Sequence, residues 1–151
     1  MTSFVPKDCT VQQMQALLSS AVAPRPIAFA STIDAEGNPN LSPFSFYNIF
    51  SSNPPILIFS PARRVRDNTT KHTLQNVQDV PEVVINVVHY GMIQQMSLSS
   101  TEYAKGVNEF DKSGLTMLKS ELVLPFRVAE SPIQMECKVI EIKPLGQDKG
   151  A

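Results

Sequence analysis

The residues best suited to bind a ligand are concentrated in the eleven-residue stretch Pro61–Lys71, hereafter the basic segment. Its cations are Arg63, Arg64, Arg66 and Lys71. With a single aspartate, the segment has a net charge of +3 in a chain whose overall charge is −1. A short helix is predicted to begin at Thr73, with Thr70 or Thr73 as its N-cap. Cations, hydroxyl groups and free N–H groups at a helix start suit a phosphate dianion, so the segment predicts a phosphate site; the alternative is a solvated loop with surface arginines.

A second unusual stretch lies within a predicted strand that runs from Asn40 to about Phe50. Its small or ring-closed residues are Ser42, Pro43 and Ser45, and they interrupt the aromatic residues Phe44, Phe46, Tyr47 and Phe50. A proline-broken strand with small side chains leaves room for a flat ligand to approach the main chain. The alternative is a core strand with a bulge. Residues 42–48 are called the interrupted segment below.

The elements that position these two segments are predicted to be mainly strands. Twelve prolines argue against a helical bundle. In residues 26–34, Ile27, Phe29, Ser31 and Ile33 alternate with small residues, as in a strand. Residues 34–38 are types that favour a turn, and the strand with the interrupted segment follows, which predicts a hairpin. Further strands are predicted at residues 56–60, 82–89 and 132–143, the last with Ile133, Met135, Cys137 and Val139 on one face.

Helices are predicted to be short and peripheral. Apolar spacing from Val11 to Ala21 indicates an amphipathic helix that packs outside a sheet, with Thr10 as its N-cap. Residues 92–96 suggest one or two helical turns, and residues 101–120 an irregular stretch with short helical pieces.

Composition places the whole chain, residues 1–151, in one globular domain. It has 42% apolar and 18% charged residues, so general disorder is excluded, and its balanced charge argues against binding nucleic acid or a membrane surface. We find no signal peptide and no apolar run of membrane-spanning length. Two distant cysteines indicate reduced thiols, which favours a cytoplasmic location.

Common catalytic and metal-binding motifs are absent. The chain has no glycine-rich dinucleotide loop, no P-loop and no nucleophile elbow. His72 and His89 lack partners at ligand spacing, so we expect no metal site; His89 is expected to be an edge residue at a strand end. Glu109 and Asp111 are expected to be solvated loop residues, and no catalytic acid or base is predicted.

The order of several short motifs resembles the flavin reductase-like family of FMN-binding split β-barrels, the flavoredoxin type, over roughly residues 10–143. The motifs are Arg25-Pro26-Ile27-Ala28, Ser31-Thr32, Gly37-x-x-Asn40-x-Ser42 through Asn48, Pro54-Pro55, Lys71-x-Thr73-x-x-Asn76, and Asn86 in an apolar strand. The resemblance implies a mainly β, Greek-key split barrel with a few short peripheral helices.

The resemblance also implies non-covalently bound FMN, usually at the interface of a homodimer. The implied contacts to the isoalloxazine ring and ribityl chain are Ser42, Pro43, Phe44, Ser45, Phe46, Tyr47 and Asn48, with Ser31 and Thr32 alongside. The implied contacts to the phosphate are Ser60, Arg63 or Arg64, Lys71 and Thr73. One flat, phosphorylated ligand would account for both the basic segment and the interrupted segment.

Two features depart from the family pattern. His72 stands where many relatives have an acidic residue. The family's barrel also continues beyond the position of Lys143, so we expect this chain to lack one or more C-terminal strands. Either the chain is a fragment or a partner subunit completes the missing edge, because an unpaired edge strand would be prone to aggregation.

The function implied is that of an NAD(P)H-dependent oxidoreductase that passes hydride or electrons through FMN to a flavin or protein acceptor. The cofactor would supply the chemistry, which explains the lack of a visible catalytic acid or base. Two alternatives stay open: a non-enzymatic electron carrier of the flavoredoxin type, and a ligand-binding barrel without nicotinamide activity. The residues do not distinguish NADH from NADPH.

Overall fold

A computed structural model describes residues 3–64, 67–104 and 106–146. The strands are β1 (Ala28–Ile33), β2 (Pro39–Phe44), β3 (Tyr47–Ser52), β4 (Pro55–Phe59), β5 (Glu82–Asn86), β6 (Met117–Leu118), β7 (Arg127–Val128) and β8 (Gln134–Lys138). The α-helices are α1 (Val11–Ala21), α2 (His72–Asp79), α3 (Ile93–Ser99) and α4 (Glu109–Ser113). Short 3₁₀ turns occupy Pro6–Asp8 and Tyr90–Met92.

The central feature is a four-stranded antiparallel sheet with the strand order β2-β1-β5-β8. All six residues of β1 are buried, because this strand has a neighbour on each side and elements packed on both faces. The predicted hairpin is confirmed by the pairing of β1 with β2. Its turn is closed by the Asp34 carboxylate, which accepts the N–H groups of Glu36 at 3.0 Å and Asn38 at 2.8 Å.

The two faces of this sheet carry separate apolar clusters, since neighbouring residues of a strand point to opposite sides. The first cluster packs against the hairpin formed by β3 and β4, and its buried members are Ala28, Ala30, Phe44, Val83 and Ile85. The second lies on the side of α3 and α4, and its buried members are Phe29, Leu41, Met92, Phe110, Leu115 and Val128. The sheet therefore separates a hairpin side from a helix side.

The strand expected from Asn40 to Phe50 is interrupted, and this corrects the prediction of one continuous strand. β2 ends at Phe44, and β3 begins at Tyr47 and pairs with β4 in a separate two-stranded sheet. The proline and serines of the interrupted segment thus coincide with a change of sheet. In the described part of the chain the strands do not close into a barrel; they form one four-stranded and two two-stranded antiparallel sheets, accompanied by a few helices.

The first helix forms where it was predicted, from Val11 to Ala21. Thr10 Oγ1 accepts from Gln13 N at 3.2 Å, and the Gln13 side chain accepts from Thr10 N at 2.8 Å, which completes a capping box. None of the helix residues is buried, and Val11 and Leu18 are 67% and 55% exposed. In the described part of the chain the expected packing of this helix against a sheet is only partial, with Met14 and Leu17 half-buried.

The later elements largely follow the predicted pattern. β5 ends at Asn86 rather than at residue 89, and the helical turns at residues 92–96 are confirmed. β8 is shorter than the predicted strand at residues 132–143. Its Met135 and Cys137 pack on the hairpin-side cluster, as does Val139 just after the strand, whereas Ile133 just before it is 57% exposed. Burial raises the pKa of the Cys137 thiol, as expected for a packed cysteine rather than a nucleophile.

Candidate functional site

The basic segment and the interrupted segment meet at Lys71 and Phe44. Phe44 is the last residue of β2 and is 4% exposed. The Lys71 ammonium lies 4.8 Å from the centroid of its ring, a cation–π geometry. Two residues that stand 27 positions apart in sequence therefore bring the two segments to one surface, as a single ligand with a flat end and an anionic end would require.

Arg64 is held firmly within this surface. Its Nε lies 3.2 Å from Glu102 Oε1, and its Nη1 donates to Thr69 Oγ1 at 3.1 Å and to the Thr70 carbonyl. Arg63 instead turns back on its own loop, where Nε donates to the carbonyl and to the side-chain oxygen of Asn68 at 3.0 and 3.1 Å. Arg66 lies outside the described residues. Arg64 is therefore better placed than Arg63 to act together with Lys71 on an anion.

The helix after the basic segment begins one residue earlier than predicted. α2 starts at His72 with Lys71 as its N-cap, so the expectation of a Thr70 or Thr73 cap is wrong. The Lys71 side chain makes no capping hydrogen bond, because an ammonium has no acceptor. The first N–H groups of a helix have no intrahelical partner, so this first turn presents donors next to a cation.

The local electrostatics favour an anion. Burial lowers the pKa of Lys71, the neighbouring Arg64 lowers it further, and Glu102 acts in the opposite direction. Two adjacent cations in a half-buried position carry an electrostatic cost. A bound phosphate would relieve that cost, since it would offset both the desolvation and the repulsion.

Ser60 and Ser31 have buried hydroxyl groups for which no hydrogen-bond partner is found among the described residues. Ser60 N donates to the Phe46 carbonyl at 2.8 Å, which places Ser60 directly beside the interrupted segment. A buried unpaired donor is unusual, and a ligand oxygen would satisfy it. The Ser60 hydroxyl thus fits a polar ligand at this position.

The structure separates the two predicted residues of β1. Thr32 lies on the hairpin side, together with Ser42 and Phe44 of β2, and its Oγ1 accepts from Asn76 Nδ2 at 3.1 Å. Ser31 points to the helix side, opposite Leu41 in the register. The Ser31 side chain is therefore not brought together with the basic segment.

Thr73 is 1% exposed, and its hydroxyl donates to Asn40 Oδ1 at 2.8 Å. This inward hydrogen bond uses the hydroxyl proton. Thr73 can therefore serve an anion through its backbone N–H, but not through its side chain in this arrangement.

An open, mostly apolar cavity of about 700 Å³ lies at the other end of the interrupted segment, against Tyr47 and Asn48. Arg25 also lines it, donates from Nη1 to the Ser19 carbonyl at 2.7 Å, and reaches Ser45 Oγ at 3.4 Å. Burial and the neighbouring Cys137 raise the pKa of Tyr47, which keeps its phenol neutral. The cavity thus adjoins the bend between β2 and β3 on its β3 side.

Sequence reasoning missed the roles of His89 and Glu109. His89 is not a plain edge residue, because its Nδ1 accepts from Gly91 N at 3.1 Å, caps a 3₁₀ turn and borders the cavity. Glu109 was expected to be solvated, yet it is 5% exposed, and burial raises its pKa against the opposing hydrogen bonds from Leu41 and Asn40. The asparagine before Glu109, which caps α4, was the available signal that a helix begins there.

Neither a metal site nor a membrane span is found in the part of the chain that the structure describes. No group of three or more potential metal-ligating side chains comes together there. None of the helices has the length and apolar character needed to cross a bilayer.

Comparison with known proteins gives consistent matches. The model of the Flavin reductase like domain matches residues 20–149. An uncharacterized protein of Aquifex aeolicus is 38% identical over 142 residues, which cover 94% of this chain and 72% of that protein.

Among solved structures, component B of nitrilotriacetate monooxygenase from Bacillus cereus superposes with a TM-score of 0.93 at 29% identity, covering 100% of this chain and 75% of that one. A Shewanella frigidimarina structure with a split barrel domain has a TM-score of 0.82 at 23% identity, covering 98% and 73%, and shows the same fold.

Proposed function

The chain belongs to the family of flavin reductase-like domains, and from this premise we propose that it binds FMN and transfers hydride or electrons from NADH or NADPH to a flavin or protein acceptor. The observation that carries the proposal is the contact of Lys71 with Phe44. It joins a cationic helix start to a bent strand at one surface. A flavin mononucleotide has the matching chemistry, a phosphate at one end and a flat ring at the other.

The residues proposed for the phosphate end are Lys71, Arg64, Ser60 and the first-turn N–H groups of α2, including that of Thr73. Support comes from the unpaired hydroxyl of Ser60 and from the uncapped helix start beside Lys71. Arg63 is proposed to act on the loop, since its guanidinium bonds to Asn68. The fit of these groups to an anion is good, because each of them can donate a hydrogen bond and two of them are cations.

The residues proposed for the ring and the ribityl chain are Ser42, Pro43, Phe44, Ser45, Phe46, Tyr47 and Asn48, with Thr32 of β1 alongside; Ser31 is left out because its side chain faces the other side of the sheet. The bend between β2 and β3 leaves residues 45 and 46 outside both strand pairings, and the ring is proposed to approach their main chain. The cavity next to Tyr47 is proposed to admit the nicotinamide, because it adjoins this bend and is lined mainly by apolar groups.

When bound, FMN would supply the acceptance of hydride and its onward transfer as electrons. The chain would bind and orient the cofactor, and the apolar walls of the cavity would limit water near the ring. No acid or base of the chain is required for this chemistry, which agrees with the lack of a predicted catalytic residue.

A homodimer is proposed as the working form. The hairpin of β3 and β4 presents exposed apolar side chains, with Ile49 and Phe50 at 69% and 73% exposure. Closure of a Greek-key barrel is proposed to involve strands other than the eight described strands. A cytoplasmic location is proposed because Cys9 and Cys137 are free thiols.

The proposal is tested by the absorption spectrum of the purified protein, followed by anaerobic stopped-flow reduction. We expect FMN to bind, with its fluorescence quenched, and the bound flavin to bleach rapidly with NADH or NADPH. Reduction only by dithionite or by a partner protein would identify an electron carrier instead. A colourless protein that leaves added FMN fully fluorescent would overturn flavin binding and favour a barrel for another ligand.

A further inference from the structure

Glu109 is a buried carboxylate that none of the proposed ligand contacts includes. It is the first residue of α4 and is 5% exposed. Its Oε1 accepts from Asn40 Nδ2 at 2.9 Å, and its Oε2 accepts from Leu41 N at 3.1 Å. Capping of α4 is performed by Asn108, whose side chain accepts from Phe110 N, so Glu109 is not required for that purpose.

Through Asn40 the carboxylate is connected to α2. Asn40 lies on β2, the edge strand of the sheet, and its Oδ1 accepts from Thr73 Oγ1 at 2.8 Å. The chain of contacts Glu109–Asn40–Thr73 therefore runs around the sheet edge, from the helix side to the hairpin side. It ends in the first turn of α2, two residues after Lys71.

The direction of these hydrogen bonds is fixed by chemistry. An ionised carboxylate only accepts hydrogen bonds, so the NH₂ group of Asn40 must face Glu109, and the Oδ1 of Asn40 must face Thr73. The Thr73 hydroxyl must then donate inward. Both carboxylate oxygens of Glu109 already face N–H donors, which matches the ionised form even though burial raises its pKa.

We propose that Glu109 is a positioning residue of the phosphate site, which acts through Asn40 to anchor Thr73 and so holds the first turn of α2, with its free N–H groups and Lys71, in place for the anion. The inference rests on the proposed FMN site. It adds that the Thr73 hydroxyl does not touch the ligand, and that a carboxylate on the far side of the sheet edge determines how well the phosphate end is bound.

The decisive measurement compares the dissociation constants of FMN and riboflavin, which differ only in the phosphate. In Glu109→Gln, one side-chain acceptor becomes a donor, so the hydrogen bond from either Leu41 or Asn40 is lost or reversed. We expect affinity for FMN to fall about tenfold, the scale of one neutral hydrogen bond, while affinity for riboflavin stays within about twofold.

The matched control is Glu136→Gln. Glu136 is also largely enclosed, with its side chain 10% exposed, and it accepts the N–H groups of Glu121 and Leu122 at 3.1 and 2.6 Å in a loop outside α2. This variant should lose thermal stability and keep the wild-type ratio of FMN to riboflavin affinity. It separates a loss of general stability from a loss of positioning.

A second variant keeps the test decisive if Glu109→Gln does not fold. Asn40→Ala leaves Glu109 bonded to Leu41 N–H but cuts the connection to Thr73, and it should reduce the preference for FMN to a similar extent. Equal loss of FMN and riboflavin affinity, or an unchanged ratio in a folded variant, would overturn the role of Glu109. If wild-type protein binds neither flavin, the proposed function itself fails, which is a different outcome.

Discussion

Replacing Lys71 by methionine should separate ligand binding from stability. In the wild type the Lys71 ammonium lies 4.8 Å from the centroid of the Phe44 ring. Methionine keeps an apolar side chain against that ring and removes the positive charge. A hydrogen bond to a charged group contributes about 1.5–3 kcal/mol, so FMN affinity should fall roughly 10- to 150-fold. Riboflavin, which has no phosphate, should bind as it does to the wild type.

The stability of the same variant should not fall. Burial and Arg64 lower the pKa of Lys71 below its ordinary value of 10.5, which means that the folded protein disfavours the charged form. The contact with the Phe44 ring offsets this by only about 0.5–1 kcal/mol. At neutral pH we therefore expect the free energy of unfolding of Lys71→Met to equal or exceed that of the wild type.

The pH dependence of the free energy of unfolding tests the cost of the Lys71 charge independently of ligand binding. Between the lowered pKa of Lys71 and 10.5, the unfolded chain binds more protons than the folded one, so the wild type gains stability as the pH rises. The difference in free energy of unfolding by which Lys71→Met exceeds the wild type should therefore shrink as the pH rises through that range.

Flavin fluorescence titrations and urea unfolding at neutral and alkaline pH measure both effects of Lys71→Met. The control is Lys138→Met, an exposed lysine at the end of β8. The reasoning is refuted if Lys71→Met binds FMN as tightly as Lys138→Met does, or if it loses riboflavin affinity to the same degree.

Two further substitutions probe the frame that holds the site. Asn86 is fully buried, and its side chain donates to the Phe29 carbonyl at 3.0 Å and accepts from Val128 N at 2.9 Å. Because Asn86→Leu leaves both of these buried backbone groups without their partner, it should lower the free energy of unfolding, measured by urea titration, by about 2–4 kcal/mol. A change below about 1 kcal/mol would contradict this. For Glu136, burial tends to raise the pKa, but the N–H groups of Leu122 and Glu121 and the charge of Arg127 outweigh it and lower the pKa below 4.5. The wild type should therefore lose its stability advantage over Glu136→Gln as the pH falls from 4.5 through the lowered pKa, and an advantage that persists in acid would contradict that assignment.

Local sequence signals were sufficient for elements whose causes lie within a few residues. The capping box of Thr10 and Gln13 and the turn closed by Asp34 are made by side chains two to four positions from their partners. The same holds for the charge of the basic segment, which is a property of eleven consecutive residues. The Thr10 N-cap, the turn at residues 34–38 and the basic segment were predicted because none of them depends on what lies across the sheet; the reciprocal bond from Gln13 was added by the structure.

The N-cap of α2 at Lys71 was not predictable in the same way. Threonine is a better N-cap than lysine by local preference, so the sequence favoured Thr70 or Thr73. In the structure the Thr73 hydroxyl is bonded to Asn40, 33 residues away, which removes it from the capping role. A tertiary hydrogen bond thus outweighed a local preference.

By itself the sequence determined the cationic segment, the proline and serines within the aromatic run at residues 42–48, and the order of motifs that identifies the family, because each of these consists of residue types and short spacings. The break of that run into two strands of different sheets came from the structure. Only the tertiary structure decided that Lys71 lies against Phe44, that Ser31 and Thr32 face opposite sides, and that Glu109 is buried next to Asn40, 69 positions away. The physical reason is that burial and hydrogen-bond pairing depend on which chain segments the sheet brings together, and a carboxylate in a turn-like sequence carries no local sign of its distant partners.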